Sequence, residues 1–381
     1  MNYNYNKPFM KIICTQENLN KGLSTVNKLA IPNANLPILN NILLETKNGS
    51  LRLASTNLET GISYFVRGKV VNEGRITIAA ALLANYIGSL ASDKVTLTLG
   101  DDGLKIETAG DRAIIRGLPA EDFPFQYALI DKMKKGVMFS VSEAILRNGL
   151  SSVSFAAAQD ELRPEISGVF FNFKKRSLIL AATDSYRLAE KKVGLAAEGK
   201  TDLKAIIPFR AVAELLHILE NREENVEIFF TDNQVLFQFR EIGFTARLVE
   251  GQYPDYKQII PQKMTTHVKA GGREFSQAAK RASLFASRET NDIRLKIDPG
   301  KNEVLISAES AAVGANQSRL DAEVSGEPQE ITYNHRYFLE GLNNLAAESA
   351  LFETSGPDEP GIFRPGGGQS DFLYLIMPIR N

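Results

Sequence analysis

Apolar residues spaced for one face of a helix recur along this chain in sets that repeat. Leu19, Leu23 and Val26 stand at i, i+4 and i+7, and the same spacing returns at Leu146, Leu150 and Val153 and again at Phe275, Ala279 and Ala282. A second set, Leu83, Ile87 and Leu90, returns at Val212, Leu216 and Leu219 and at Phe338, Leu342 and Leu345. Residues at these offsets share a stripe, as the packing of a helix on a sheet requires. Six helices are therefore predicted, two in each of three copies of one unit.

Between the helical sets the pattern changes to that of strands. Leu51-Arg-Leu53 ahead of Thr56-Asn57 corresponds to Leu178-Ile-Leu180 ahead of Thr183-Asp184, and more loosely to Val304-Leu-Ile306 ahead of Glu309-Ser310. Val95-Thr-Leu97-Thr-Leu99 alternates with period two, as a half-buried strand does. Its counterpart from Val226 to Phe230 ends more apolar. Turn residues at Lys47-Asn48-Gly49, Asp101-Asp102-Gly103, Thr231-Asp232-Asn233 and Asp298-Pro299-Gly300 suit hairpins. Gly361–Gly368 is glycine-rich and precedes a terminal apolar run, so it reads as a hairpin loop rather than a phosphate cradle. The fold class is α+β: three similar domains of about 125 residues, each two helices packed on antiparallel sheets. Their predicted bounds are 10–132, 136–261 and 264–381, with polar or proline-marked junctions at Asp131–Gly136 and Pro261–Thr266. Residues 1–9 read as a disordered extension, with Met10 as a natural start.

Composition narrows the class. With 381 residues, 44% hydrophobic and 23% charged, the chain is a folded protein of more than one domain. A net charge of -1 neither suggests nor excludes nucleic acid, because basic residues can be gathered on one face while the total stays near zero. Cys14 is the only cysteine, which excludes an internal disulfide and suits a reducing cytoplasm. In its apolar surroundings it reads as core filler. Residues 1–9 lack the regions of a signal peptide, and no apolar run approaches the length of a membrane span. His217, His267 and His335 are scattered, and neither a phosphate-binding loop nor a zinc-protease motif is present. Asp111-Arg112 and Asp184 form no catalytic constellation, so no enzyme is predicted.

Five segments in order, LPIL from Leu36, GLPAEDFP from Gly117, ATDSYRLA from Ala182, GQYPDY from Gly251 and YLIMPIR from Tyr374, carry a resemblance. Over essentially residues 10–381 the chain resembles the bacterial DNA polymerase III β subunit, the processivity clamp. The resemblance implies the DNA clamp fold: a head-to-tail homodimeric ring around duplex DNA, bound without regard to sequence. It also implies docking of replicative and repair polymerases and of the clamp loader through short apolar peptides. It implies no chemistry, cofactor or metal, and a cytoplasmic place at the nucleoid. The implied peptide groove comprises Ile166, Thr183, Ser185, Tyr186, Arg187, Leu188, Pro254, Ile259, Leu375, Met377, Pro378, Ile379 and Arg380, an apolar floor with a few orienting polar groups. Asn381 stands where many relatives end in an apolar residue.

Basic residues on the helices, Lys21, Lys28, Arg147, Arg210, Lys280 and Arg281, are the DNA-facing candidates, since phosphate contacts of this kind ignore sequence and weaken in salt. The family's best-known arginine contacts fall here on Asn33 and Ala81 and do not transfer. Leu284 and Phe285 match the family's apolar dimer contact, and Ala113 replaces a usual aromatic on the opposing edge. A second reading is a repeat adaptor that binds apolar peptides without enclosing DNA.

Overall fold

Six helices form where the apolar stripes predict them, among the residues described in the computed structural model: 10–30, 35–125, 130, 133–160, 162–199, 201–345, 347–367 and 371–380. They are α1 (Gln16–Val26), α2 (Ala80–Ser89), α3 (Glu143–Ser154), α4 (Phe209–Ile218), α5 (Gly272–Ser283) and α6 (His335–Asn343). The first stripe is buried in all three copies. The second needs one correction. In α4 the buried positions are Ala211, Val212, Leu215 and Ile218, and Leu216 lies half-buried at the margin of the stripe. Leu90, Leu219 and Leu345 are buried as predicted, but each lies just past its helix, where it caps the end of the stripe. Thr15 starts α1 by accepting from Asn18 N, and Asn334 starts α6 by accepting from Arg336 N.

The helices pack in pairs, α1 with α2, α3 with α4 and α5 with α6. Each pair carries a polar tie: Gln16 Nε2 to Ile87 O at 2.7 Å, Arg147 Nε to Leu219 O at 3.2 Å, and Ser276 Oγ to Asn343 Oδ1 at 3.1 Å.

The chain forms two compact units, one reaching to Val141 and including Glu223–Leu248, the other Ser142–Arg222 with Val249–Asn381. The first holds a five-stranded sheet in the order Gly68–Asn72, Met10–Thr15, Lys94–Gly100, Gly103–Glu107, Arg112–Ile115. It also holds an eight-stranded sheet: Val137–Ser142, Asn225–Phe230, Gln234–Phe239, Ile242–Arg247, Thr60–Val66, Ser50–Thr56, Asn41–Lys47, Gly74–Ala79. The second holds a nine-stranded sheet: Leu203–Pro208, Gly168–Phe173, Ser177–Thr183, Arg187–Gly194, Phe372–Ile376, Gly361–Pro365, Ser349–Thr354, Thr266–Gly271, Glu323–Gly326. Its other sheet has four strands, Gly314–Asp321, Glu303–Ser310, Asp292–Asp298 and Gln329–Asn334.

Strand pairing therefore runs across the sequence copies. Ile242–Ala246 pair with Thr60–Tyr64, and Arg187–Lys191 pair with Phe372–Ile376, both antiparallel. Sheet continuity, more than the repeat, decides which residues pack as one body. The predicted turns fall between paired strands, and Asn48 and Gly49 take φ of +51° and +76°, as a tight hairpin demands. The loop reading of Gly361–Gly368 is corrected over Gly361–Pro365, which form a strand because Ile362 and Phe363 are both fully buried in the sheet. The extension at residues 1–9 lies outside the described residues.

Cys14 lies on the strand Met10–Thr15, where burial pushes its thiol up to about 12. The thiol stays protonated well past neutral pH, so iodoacetamide at pH 8 is expected to spare the native chain and to label it in 8 M urea. Labelling of native protein at the rate of a free thiol would contradict this burial.

Candidate functional site

Of the predicted groove residues, Thr183, Ser185, Tyr186, Arg187, Leu188, Leu375 and Met377 meet around one turn of the second unit. The strand Ser177–Thr183 ends at Thr183, whose Oγ1 donates to Arg187 O at 2.6 Å and accepts from Ser185 N at 3.1 Å. Asp184 Oδ1 accepts from the amides of Tyr186 and Arg187 at 3.0 and 3.1 Å. Side chains thus satisfy the turn amides that no ladder can reach, and Ser185 is held at φ +78°. Beyond the turn the chain becomes the strand Arg187–Gly194, with Leu188 opposite Leu375. Met377 N then donates to Tyr186 O at 2.9 Å, and Ile379 N to Thr332 O at 2.8 Å, so the C-terminal segment is laid along the turn.

Ile166, Leu188 and Leu375 share one apolar cluster with Phe170, Ala181, Ile206 and Ile362, and Met377 and Met264 pack half-buried against it. The sequence reading missed three aromatic residues here. Tyr253 and Tyr256 belong to the cluster, with Phe170 stacked on Tyr253 at 4.7 Å and Tyr256 edge-on to Tyr253 at 6.1 Å. The signal was present in the GQYPDY segment, of which only Pro254 was assigned; Pro254 and Ile259 are exposed instead. The third is Tyr337 of α6, whose ring stacks with Tyr186 at 6.5 Å.

Arg187 organises the polar side. Its Nε donates to Asp184 Oδ2 at 2.9 Å and its Nη2 to Phe155 O at 2.9 Å, and its Nη1 is paired with Glu340 of α6. The guanidinium also lies 4.4 Å from the centre of the Tyr337 ring. At another margin Tyr256 Oη donates to Glu190, which Lys257 Nζ also meets at 2.7 Å. Burial, and then the Glu190 carboxylate, push the Tyr256 hydroxyl far above its ordinary range, so it remains a donor at physiological pH. Pro378 and Ile379 are half-buried and Arg380 is exposed.

The basic candidates are placed on the helices or at their ends. Lys21, Lys28, Arg210, Lys280 and Arg281 are exposed, and Arg281 Nε reaches Ser318 Oγ at 3.3 Å. Arg147 is half-buried and spends its Nε on Leu219 O. Ala81 is exposed on α2, and Asn33 and Asn381 lie outside the described residues. Leu284, just past α5, is 69% exposed beside half-buried Phe285. Ala113 lies on the outermost strand of its sheet, next to Ile114, which is 51% exposed. Among the described residues no helix is long and apolar enough to cross a membrane.

Comparison with known proteins points one way. The DNA polymerase III beta subunit family matches in three parts: its N-terminal domain over residues 10–128, its central domain over 140–255 and its C-terminal domain over 257–380. A beta sliding clamp from Synechococcus elongatus is 31% identical over 377 residues, covering 97% of this chain and 99% of that protein. The crystal structure of a DNA polymerase sliding clamp from Bacillus subtilis superposes with a TM-score of 0.92 at 25% identity, covering 98% of this chain and 100% of its own. A DnaN sliding clamp from Pseudomonas aeruginosa, bound to griselimycin, gives 0.90 at 25% identity over 98% and 100% of the two chains.

Proposed function

The chain belongs to the DNA polymerase III beta subunit family, and from that premise we propose that it is a DNA sliding clamp, two copies of which close head-to-tail around duplex DNA and tether polymerases. The observation that carries the ring is a pair of open sheet edges. Thr60–Val66 and Arg187–Gly194 hold matching places in the first two copies, and each is joined by a strand from the following copy, Ile242–Arg247 and Phe372–Ile376. In the third copy the matching strand, Gly314–Asp321, ends its sheet, and Arg112–Ile115 ends the five-stranded sheet of the first, among the described residues.

A second chain supplies the missing neighbour to each edge. Four strands and five then join into a sheet as wide as the nine-stranded one, and ring closure leaves these edges covered. Leu284, Phe285 and Ile114 add apolar surface to that contact. Exposed Lys21, Lys28, Arg210, Lys280 and Arg281 supply weak, sequence-independent phosphate contacts suited to sliding. The cluster around Leu188, Leu375 and Met377 takes short apolar peptides from polymerases and the loader. The clamp itself catalyses nothing and works in the cytoplasm.

The test is retention on DNA after loading at raised salt, comparing nicked circles with the same DNA linearised. Retention on circles with loss from linear ends is expected, because enclosure depends on ends and phosphate contacts do not. Equal loss from both would leave the adaptor reading in its place.

A further inference from the structure

The turn that frames the groove of the second unit has a duplicate in the first. Thr56 Oγ1 donates to Thr60 O at 2.6 Å, the same distance as from Thr183 Oγ1 to Arg187 O. Thr56 Oγ1 accepts from Leu58 N at 3.1 Å, as Thr183 Oγ1 does from Ser185 N. Asn57 Oδ1 accepts from the amides of Glu59 and Thr60 at 3.0 and 2.8 Å, as Asp184 Oδ1 does from those of Tyr186 and Arg187. Leu58 and Ser185 share a φ of +78°. Past the turn, Arg247 N donates to Glu59 O at 3.0 Å, as Met377 N donates to Tyr186 O at 2.9 Å. The walls correspond as well: the cross-strand pair Leu43 and Ala54 belongs to one apolar cluster, and the pair Phe170 and Ala181 to the other.

One position differs in kind. Leu188 of the apolar cluster, opposite Thr183, is matched by Gly61 opposite Thr56. A Cβ on Gly61 would lie 2.7 Å from Phe125 Cε2 and 3.2 Å from Phe125 Cδ2. The phenyl ring therefore rests on bare backbone where the other site has a leucine. Phe125 packs half-buried on the cluster of Leu43, Ala54, Phe123 and Leu236.

We propose that this place is a second docking groove for a short apolar peptide, closed by Phe125, whose ring occupies the seat of the peptide's anchor side chain. The proposal rests on reading the turn at Thr183–Arg187 as a docking site. Its ligand is a peptide with a phenylalanine-sized anchor, as the resident ring shows the seat accepts one. Thr60 stands where the open groove has Arg187, so this second site offers no cation at that point of its rim. Of these two places the plug leaves one open in each chain, and thus as many in a ring as it has chains.

The test counts binding sites by calorimetry with the octapeptide Leu-Pro-Ala-Glu-Asp-Phe-Pro-Phe, which copies residues 118–125. The proteins are the full chain, a chain ending at Ile376, and each of these carrying Phe125→Ala. The expected counts per chain are one, none, two and one respectively. Phe125→Leu, which keeps most of the buried apolar surface, is expected to bind the second equivalent more weakly and serves if the alanine variant does not fold. No second equivalent in a folded Phe125 variant overturns the plug. A full chain that binds none overturns the docking reading of Thr183–Arg187, whatever Phe125 does, so the two failures are separable.

Discussion

Removal of Met377–Asn381 lowers the affinity for a short apolar peptide by at least about 100-fold, or ~2.7 kcal/mol, while the dimer assembles as before. The strand Phe372–Ile376 keeps its whole register against Arg187–Lys191 in the shortened chain, because its last paired residue is Ile376. What is lost lies beyond the ladder: the Met377 side chain from the apolar cluster, and the bonds from Met377 N to Tyr186 O and from Ile379 N to Thr332 O. A methionine offered to a ligand contributes roughly 1.5–3 kcal/mol through its buried surface, and a backbone bond that positions the wall adds about 1 kcal/mol. The edges assigned to ring closure, Arg112–Ile115 and Gly314–Asp321, are other parts of the chain. Fluorescence anisotropy with a labelled peptide carrying Leu and Phe measures the loss, and light scattering reports the dimer. Unchanged peptide affinity would remove the groove from this position.

The helices were legible because burial on a helix obeys a period that local sequence displays. Where two apolar residues are adjacent, as at Leu215 and Leu216, the period alone does not say which faces the sheet; packing against the neighbouring strands turned Leu215 inward. Thr56-Asn57 and Thr183-Asp184 were visible as a shared Thr-Asx pair, and the turns they build are local, since their side-chain oxygens bond backbone amides and carbonyls only two to four residues on. The pairing of Ile242–Ala246 with Thr60–Tyr64 was not visible, because nothing in either run names a partner so far along the chain. Tyr337 and Glu340 were missed for a related reason. On α6 they lie off the Phe338 and Leu342 stripe, which marks them as solvent-facing, and Tyr186 and Arg187, far away in sequence, give them a task. Phe125 stands one residue past the GLPAEDFP segment and drew no reading from the sequence, because its place over Gly61 depends on a glycine whose meaning appears only when the sheets are formed.

Arg187→Ala is expected to destabilise the second unit by about 3–5 kcal/mol, the range for breaking a buried ion pair from one side. The side chain of Arg187 is only 8% exposed and that of Asp184 15%, so the carboxylate left behind has little water to turn to. Asp184 would keep the amides of Tyr186 and Arg187 but lose its countercharge, and Phe155 O at the end of α3 would lose the Nη2 donor. Glu340 is 47% exposed and can be resolvated, so it contributes little to the loss. Arg187→Lys should recover only part, because one ammonium group cannot serve Asp184, Phe155 O and Glu340 in the directions that a planar guanidinium does. Asp184→Asn in the alanine background should restore roughly 1–2 kcal/mol, since it removes the stranded charge while keeping the Oδ1 acceptor of the turn. Urea unfolding followed by circular dichroism gives all three values against the unchanged chain. A loss below about 1 kcal/mol for Arg187→Ala would place the pair among exposed surface bridges and would mean that the turn is held by the Thr183 hydroxyl and the Asp184 Oδ1 acceptor alone.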